Sequence, residues 1–89
     1  MNVKPSQIDG AGTGAYVAVA ATSAPFTWAQ VSADLANGGN VSLSFNGTAS
    51  FQDVLPGGGY MLAPPAGFQF DFKDLKVLGN GYNFHIIYV

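Results

Sequence analysis

The sequence predicts a mainly β protein, a compact antiparallel β-sandwich or jelly-roll-like barrel of about seven short strands. From residue 40 onward, apolar and polar residues alternate along the chain, which is the pattern of strands with one buried face. Turn sequences separate these runs at the short, regular spacing that is typical of sandwiches and barrels. With 89 residues, the chain has room for one hydrophobic core.

The first stretch of the chain, MNVKPSQIDGAGTG, is polar and rich in glycine, and it shows neither helical nor strand periodicity. Such a composition is typical of an extended segment. We therefore expect an N-terminal arm at residues 1–14 and a single β domain at residues 15–89. That domain begins with a short β-prone run at residues 16–20, which has apolar residues on both faces.

One stretch favours a helix, at residues 28–36. Thr27 and Gln30 have the spacing of a capping box, which opens a helix. Three apolar side chains would then share one helical face: Trp28, Val31 and Leu35. A strand that carries Phe26 is the alternative, and the sequence slightly favours the helix.

Two hairpins are predicted from turn sequences between apolar runs. The first joins residues 41–45 to residues 49–54 through Asn46-Gly47, the dipeptide preferred in two-residue type I′ turns. The second joins residues 75–78 to residues 82–89 through Gly79-Asn80-Gly81. In both cases we expect the strands on either side of the turn to pair with each other.

Aromatic and apolar residues in the second half predict the core and an interface. Phe68, Phe70 and Phe72 alternate with polar residues, so we expect the three rings on one buried face. The last strand is apolar on both faces, so it lies either at the centre of a sheet or against a neighbouring subunit. We expect subunits to meet at this strand, through Tyr82, Phe84, Ile86, Ile87, Tyr88 and Val89.

Charge limits the classes of partner. Only 9% of the residues are charged, against about 25% in typical soluble domains. Three lysines and a net charge of −2 argue against nucleic-acid binding, which depends on neutralising phosphates. No apolar stretch is long enough to span a bilayer, and the N-terminus lacks a secretory apolar region, so we expect synthesis in the cytoplasm. A surface with so few charged residues indicates that part of it is covered by other subunits or proteins. We therefore expect a homo-oligomer.

No group of residues predicts catalysis, a cofactor or a bound metal. His85 is the single histidine, and the sequence contains neither Cys nor Glu to accompany it. We expect a hydrogen-bonded structural histidine, with a pH-sensitive subunit interface as the alternative. Asp53, Asp71 and Asp74 lack the spacing of a calcium-binding loop and are expected at strand ends and turns. The protein is therefore expected not to be an enzyme.

Aromatic side chains are the remaining candidates for ligand binding. Trp28 and Tyr60 are the leading pair, because aromatic rings stack on sugar rings and a tyrosine hydroxyl adds hydrogen bonds. Protein interfaces favour the same residue types. For a domain of this size, use in the core or in an interface is the preferred interpretation.

Two stretches resemble virion proteins of tailed bacteriophages. Residues 3–10, VKPSQIDG, are similar to segments that precede a globular head in phage fibre and structural proteins. The Leu-Pro-Gly-Gly-Gly turn at residues 55–59, the aromatic strands after it and the final Gly-Asn-Gly hairpin at residues 76–89 resemble small virion domains. The resemblance implies a capsid decoration, neck or tail-associated protein with a β-sandwich head, commonly trimeric, and it implies no catalytic residues.

The leading hypothesis is a virion structural protein, made in the host cytoplasm, that self-assembles and docks on the major capsid protein or another virion protein. The N-terminal segment is the predicted docking arm, through Val3, Lys4, Pro5, Gln7 and Ile8. The alternative is a carbohydrate-binding, receptor-binding module that uses the exposed aromatic residues Trp28 and Tyr60.

Overall fold

The computed structural model describes residues 6–89, and every regular element in that range is a β-strand. The ten strands are β1 (Ser6–Ala11), β2 (Val17–Ala18), β3 (Pro25–Phe26), β4 (Ala29–Ala33), β5 (Val41–Ser44), β6 (Gln52–Val54), β7 (Gly59–Leu62), β8 (Phe70–Asp71), β9 (Lys76–Leu78) and β10 (Asn83–Tyr88). The predicted mainly β class is confirmed. None of the described residues belongs to a helix that could cross a membrane.

Eight of the strands form two four-stranded antiparallel sheets. The order is β1-β10-β4-β7 in sheet A and β2-β9-β5-β6 in sheet B, while β3 and β8 form a two-stranded ribbon. Side chains from both sheets and the ribbon segments are buried in one core: Phe26, Ala29, Val31, Ala33, Val41, Leu43, Val54, Leu62, Phe72, Leu75, Val77, Phe84 and Ile86. One hydrophobic core therefore holds both sheets together.

Strand β4 stands where the sequence favours a helix at residues 28–36, so that prediction is wrong. Ala29, Val31 and Ala33 alternate into the core, and β4 pairs with β10 on one side and with β7 on the other. A helix would have buried Leu35, which is 82% exposed. A capping box stabilises only the first turn of a helix. As a strand, β4 instead forms backbone hydrogen bonds with a neighbouring strand on each of its two edges.

Residues 6–11 of the predicted arm form an edge strand of sheet A. Strand β1 pairs with β10 along its whole length, from Ser6 opposite Tyr88 to Ala11 opposite Asn83. The glycine at position 10 allows this pairing, because a Cβ there would lie 2.7 Å from the ring of Phe84. Residues 6–11 are therefore part of the sheet and not of a separate arm; docking through Gln7 and Ile8 stays a prediction, and the docking residues Val3, Lys4 and Pro5 lie outside the described residues.

The first predicted hairpin is present, but with a different connection. Strands β5 and β6 pair, with Val41 opposite Val54. Their connection spans residues 45–51, and Gly47 has a positive φ of 77° while Asn46 does not. A type I′ turn requires positive φ at both central residues, so that turn type is wrong.

The second predicted hairpin is wrong in its pairing. Asn80 and Gly81 have positive φ values of 48° and 86°, and the amide of Tyr82 donates to the carbonyl of Gly79 over 2.8 Å, as in a type I′ turn. The turn nevertheless connects β9 of sheet B to β10 of sheet A. The turn therefore lies at the predicted residues, whereas the choice of partner strands depends on the rest of the fold.

The last strand lies at the centre of sheet A, between β1 and β4. Phe84 and Ile86 are buried in the core, and Tyr82 and Tyr88 are packed against it. These positions remove Phe84 and Ile86 from the predicted subunit interface, because core side chains are not accessible to another subunit. Of the predicted interface set, Ile87 and Val89 keep exposed side chains.

The three alternating phenylalanines do not share one buried face. Phe72 is buried and Phe70 is partly buried, but Phe68 is 68% exposed. Strand β8 is only two residues long, and the amide of Phe68 donates to the carbonyl of Pro65 within the preceding turn. The alternation in sequence therefore does not continue as a strand as far as Phe68.

Candidate functional site

One concave site of the domain is a surface groove lined by apolar side chains. It measures about 410 Å³ and is lined by Phe45, Phe51, Tyr60, Met61, Leu62, Ala63 and Phe70. These residues come from the β5–β6 connection, from β7 of sheet A and the residue after it, and from β8 of the ribbon. We call these seven residues the aromatic groove.

Four rings of the aromatic groove form a continuous series of contacts. Phe45 and Phe51 are stacked, with their centroids 5.0 Å apart and their planes 6° from parallel. Phe70 lies 5.3 Å from Phe45 in a tilted arrangement, and Tyr60 meets Phe51 edge to face at 6.0 Å. Phe45 is 36% exposed and Phe51 is 42% exposed. The stacked pair therefore presents aromatic surface to solvent instead of closing into the core.

A buried serine fixes the loop that carries the stacked pair. The hydroxyl of Ser44 donates to the carbonyl of Ala49 over 2.7 Å and accepts from the amide of Gly47 over 2.9 Å. The side-chain oxygen of Asn46 accepts from the amides of Thr48 and Ala49. These bonds replace strand pairing through the loop, so Phe45 and Phe51 are held next to each other at its two ends.

A second, more polar depression of about 360 Å³ adjoins the aromatic groove and shares Phe45 and Phe70 with it. Its other lining residues are Gln69, Asp71 and Asp74. The carboxylate of Asp71 accepts hydrogen bonds from the amides of Ala24 and Lys73 and from the hydroxyl of Ser23.

These bonds, led by that from Ala24, hold the pKa of Asp71 below its usual value. Asp71 therefore remains an ionised structural acceptor that ties β8 to the segment before β3. Across residues 6–89, no three His, Cys, Asp or Glu side chains are arranged to hold a metal ion.

The single histidine lies between two carboxylates on the outer face of sheet A. Its Nδ1 is 2.8 Å from an oxygen of Asp9, and its Nε2 is 2.5 Å from an oxygen of Asp34. These hydrogen bonds, first to Asp9 and then to Asp34, raise the pKa of His85. Both ring nitrogens are therefore bonded to carboxylates in this arrangement.

The structure separates the two aromatic residues predicted to bind a ligand. Tyr60 lines the aromatic groove, whereas Trp28, half-buried before β4, does not line it. Sequence reasoning missed Phe51 and assigned Phe45 and Phe70 to strands and the core. The available signal was the pair of phenylalanines on either side of the Asn46-Gly47 turn, but their exposure depends on the length of the loop.

No family model matches the chain, and neither the curated proteins nor the solved structures contain a match to it.

Proposed function

We propose that this protein is a non-enzymatic structural component that assembles with copies of itself through the aromatic groove. The observation that carries the proposal is the stacked pair of Phe45 and Phe51, which are partly exposed beside Tyr60 and Met61. Aromatic residues and methionine are enriched in protein interfaces, and contiguous apolar surface is uncommon on free monomers.

A second copy of the chain is the proposed occupant of the aromatic groove. The chain carries few charges, and its net charge is only −2, so repulsion between copies is weak. Except for the phenol of Tyr60, the side chains that line the groove are apolar, which favours an equally apolar partner surface. An exposed Met61, at 57%, extends the apolar surface at the rim.

The resemblance to virion proteins of tailed bacteriophages extends this proposal to a particle. In that setting the protein is a capsid decoration, neck or tail-associated component, and its N-terminal residues Val3, Lys4 and Pro5 contact a larger virion protein. The β-rich fold is compatible with this role. Electron microscopy of a native particle, with the density of this chain located, is the direct measurement.

Sedimentation velocity over a range of concentrations tests self-assembly. We expect the wild-type protein to form an oligomer, and Phe51→Ser to weaken that association at least about tenfold, as for a residue at the centre of an interface. Leu35→Ser is the matched control, because Leu35 is exposed but does not line the groove. A wild-type protein that stays monomeric at the highest concentration, or equal weakening by both variants, contradicts the proposal.

Carbohydrate binding is the second candidate, and the polar depression next to the aromatic groove favours it. Gln69 and Asp74 lie beside the rings of Phe45 and Phe70, so the site combines stacking surfaces with hydrogen-bonding groups. Titration with a panel of polysaccharides tests it. Binding that is lost in Phe45→Ala and retained in Trp28→Ala supports this function, whereas the absence of binding to the whole panel argues against it.

A further inference from the structure

A three-residue cluster connects the edge strand β1 to the rest of sheet A. Asp9 lies on β1 directly opposite His85 on β10, and Asp34 follows the end of β4 on the other side of β10. The imidazole bridges the two carboxylates through its two nitrogens. The side chain of Gln7 also donates to the same oxygen of Asp9 over 2.8 Å. The cluster therefore spans three adjacent segments of the sheet.

Strand β1 has little apolar anchoring of its own. Its sequence is SQIDGA, in which Ile8 is the one large apolar side chain, and that side chain is only partly buried. Strand β1 has a single neighbour in the sheet, β10. Besides the backbone ladder, Ile8 and the ring of Phe84 over Gly10, the Asp9–His85 contact is a side-chain hydrogen bond that joins β1 to β10. The pairing of β1 with β10 is therefore sensitive to the Asp9–His85 hydrogen bond.

We propose that Asp9, His85 and Asp34 form a proton-controlled clasp, in which doubly protonated His85 holds strand β1 on sheet A and loss of one proton loosens it. A doubly protonated imidazole donates to both carboxylates at once, whereas a neutral imidazole has one donor and one lone pair. The lone pair then faces a carboxylate oxygen, which is unfavourable. Loss of the proton removes one donor and also the positive charge that strengthens the other bond, so the Asp9–His85 link is weakened whichever nitrogen loses the proton.

The direction of the pH effect follows from the pKa shifts of His85 and Asp9. The pKa of His85 is raised, so its contribution to stability is fully present below the unfolded-state value of about 6.5 and is lost as pH rises through the folded-state value. The pKa of Asp9 is lowered, first by the bond from Gln7 and then by that from His85. The contribution of Asp9 is present above about 3.8 and is lost as pH falls through the folded-state value.

Among residues 6–89, no other charged group takes part in these contacts. Asp9 faces the ring from β1, and Asp34 faces it from the end of β4. The residue directly opposite His85 on β4 is Ser32, which does not titrate in this range. Both carboxylates and the imidazole are partly exposed, so protons and solvent reach the cluster without unfolding of the core. The clasp can therefore respond to external pH.

Hydrogen exchange of the β1 amides across a pH series, corrected for intrinsic exchange rates, tests the proposal. We expect protection of residues 6–11 relative to those of β4 to fall about fivefold between about pH 5.5 and about pH 8.5, the effect of one lost hydrogen bond. His85→Gln should remove this pH dependence, because glutamine does not titrate. Asp9→Asn is a second variant that should reduce it and that leaves the histidine in place.

Asp53→Asn is the matched control, since Asp53 is an exposed aspartate on β6 in the other sheet. Nitrogen chemical shifts of the His85 ring, measured in the wild-type protein, report directly whether both nitrogens carry protons below the transition. Relative β1 protection that is independent of pH overturns the proposal. So does an undiminished pH dependence in both His85→Gln and Asp9→Asn.

Discussion

Gly12 and Gly79 meet backbone to backbone, so closely that a Cβ added to Gly12 would lie 2.4 Å from the nitrogen and Cα of Gly79. Around this contact, the amide of Gly12 donates to the carbonyl of Tyr82, and the amide of Gly81 donates to the carbonyl of Gly12, each over 2.8 Å. These hydrogen bonds join the segment after β1 to the turn between β9 of sheet B and β10 of sheet A.

The Gly12–Gly79 contact predicts that a single methyl group destabilises the fold. Gly12→Ala should lower the free energy of unfolding by about 2 kcal/mol, because the neighbouring atoms are backbone and cannot rotate away. Gly14→Ala is the control, since a Cβ at that position meets nothing within 4 Å. Urea denaturation of the two variants makes the comparison, and equal stability of both would contradict the contact.

The buried hydroxyl of Ser44 predicts a loss of stability when it is removed. Ser44→Ala leaves the amide of Gly47 without its acceptor and the carbonyl of Ala49 without its donor, at a cost of about 1–3 kcal/mol. Ser50→Ala, at an exposed position in the same loop, should change stability by less than about 0.5 kcal/mol. Thermal unfolding followed by circular dichroism measures both. A larger effect for Ser50→Ala would contradict this account of the loop.

The three bonds to the carboxylate of Asp71 predict an acid-sensitive contribution to stability. Because the pKa of Asp71 is lowered in the folded state, that contribution is present above about 3.8 and is lost as pH falls through the folded-state value. Asp71→Asn should lower the free energy of unfolding near neutral pH. In acid, the free energies of unfolding of the variant and the wild type should lie closer together. Denaturant titrations near neutral pH and in acid measure the free energy of unfolding of both proteins. A difference between them that is larger in acid would contradict the prediction.

Packing across the two sheets predicts a large cost for removing a core side chain. Leu43 is buried in sheet B and belongs to the core that both sheets share. Leu43→Ala should therefore lower the free energy of unfolding by about 2–5 kcal/mol. Leu55→Ala is the control, because Leu55 is exposed. Similar midpoints in guanidinium for both variants would contradict the assignment of Leu43 to the core.

The sequence predicted those features that depend on near neighbours along the chain. The alternation of Val41, Ser42 and Leu43 predicted β5 and its pairing with β6, although Ser44, expected on the polar face, is buried. The φ values of Asn80 and Gly81 match the turn type that their sequence favours. The two-faced apolar character of the last strand matches its central position in sheet A. Each of these features depends on residues that lie close together in the sequence.

Features that join distant parts of the chain were not visible in the sequence. Asp9 is 76 residues away from His85, and Asp34 is 51 residues away, so no spacing rule brings the cluster together. Strand β1 was interpreted as an arm because its apolar content is low, and its partner, β10, lies at the other end of the described chain. The same limit applies to β4, whose helix-like motif was outweighed by pairing with two strands.

The central place of β10 in sheet A sets an order for folding during synthesis. All strands of sheet B end by Leu78, so that sheet can pair before residues 83–88 leave the ribosome. Sheet A cannot, because β1 and β4 are joined only through β10. Until then, one edge of β4 is unpaired and open to the strands of other nascent chains. A chain truncated before Asn83 should therefore aggregate more readily than the chain of residues 1–89.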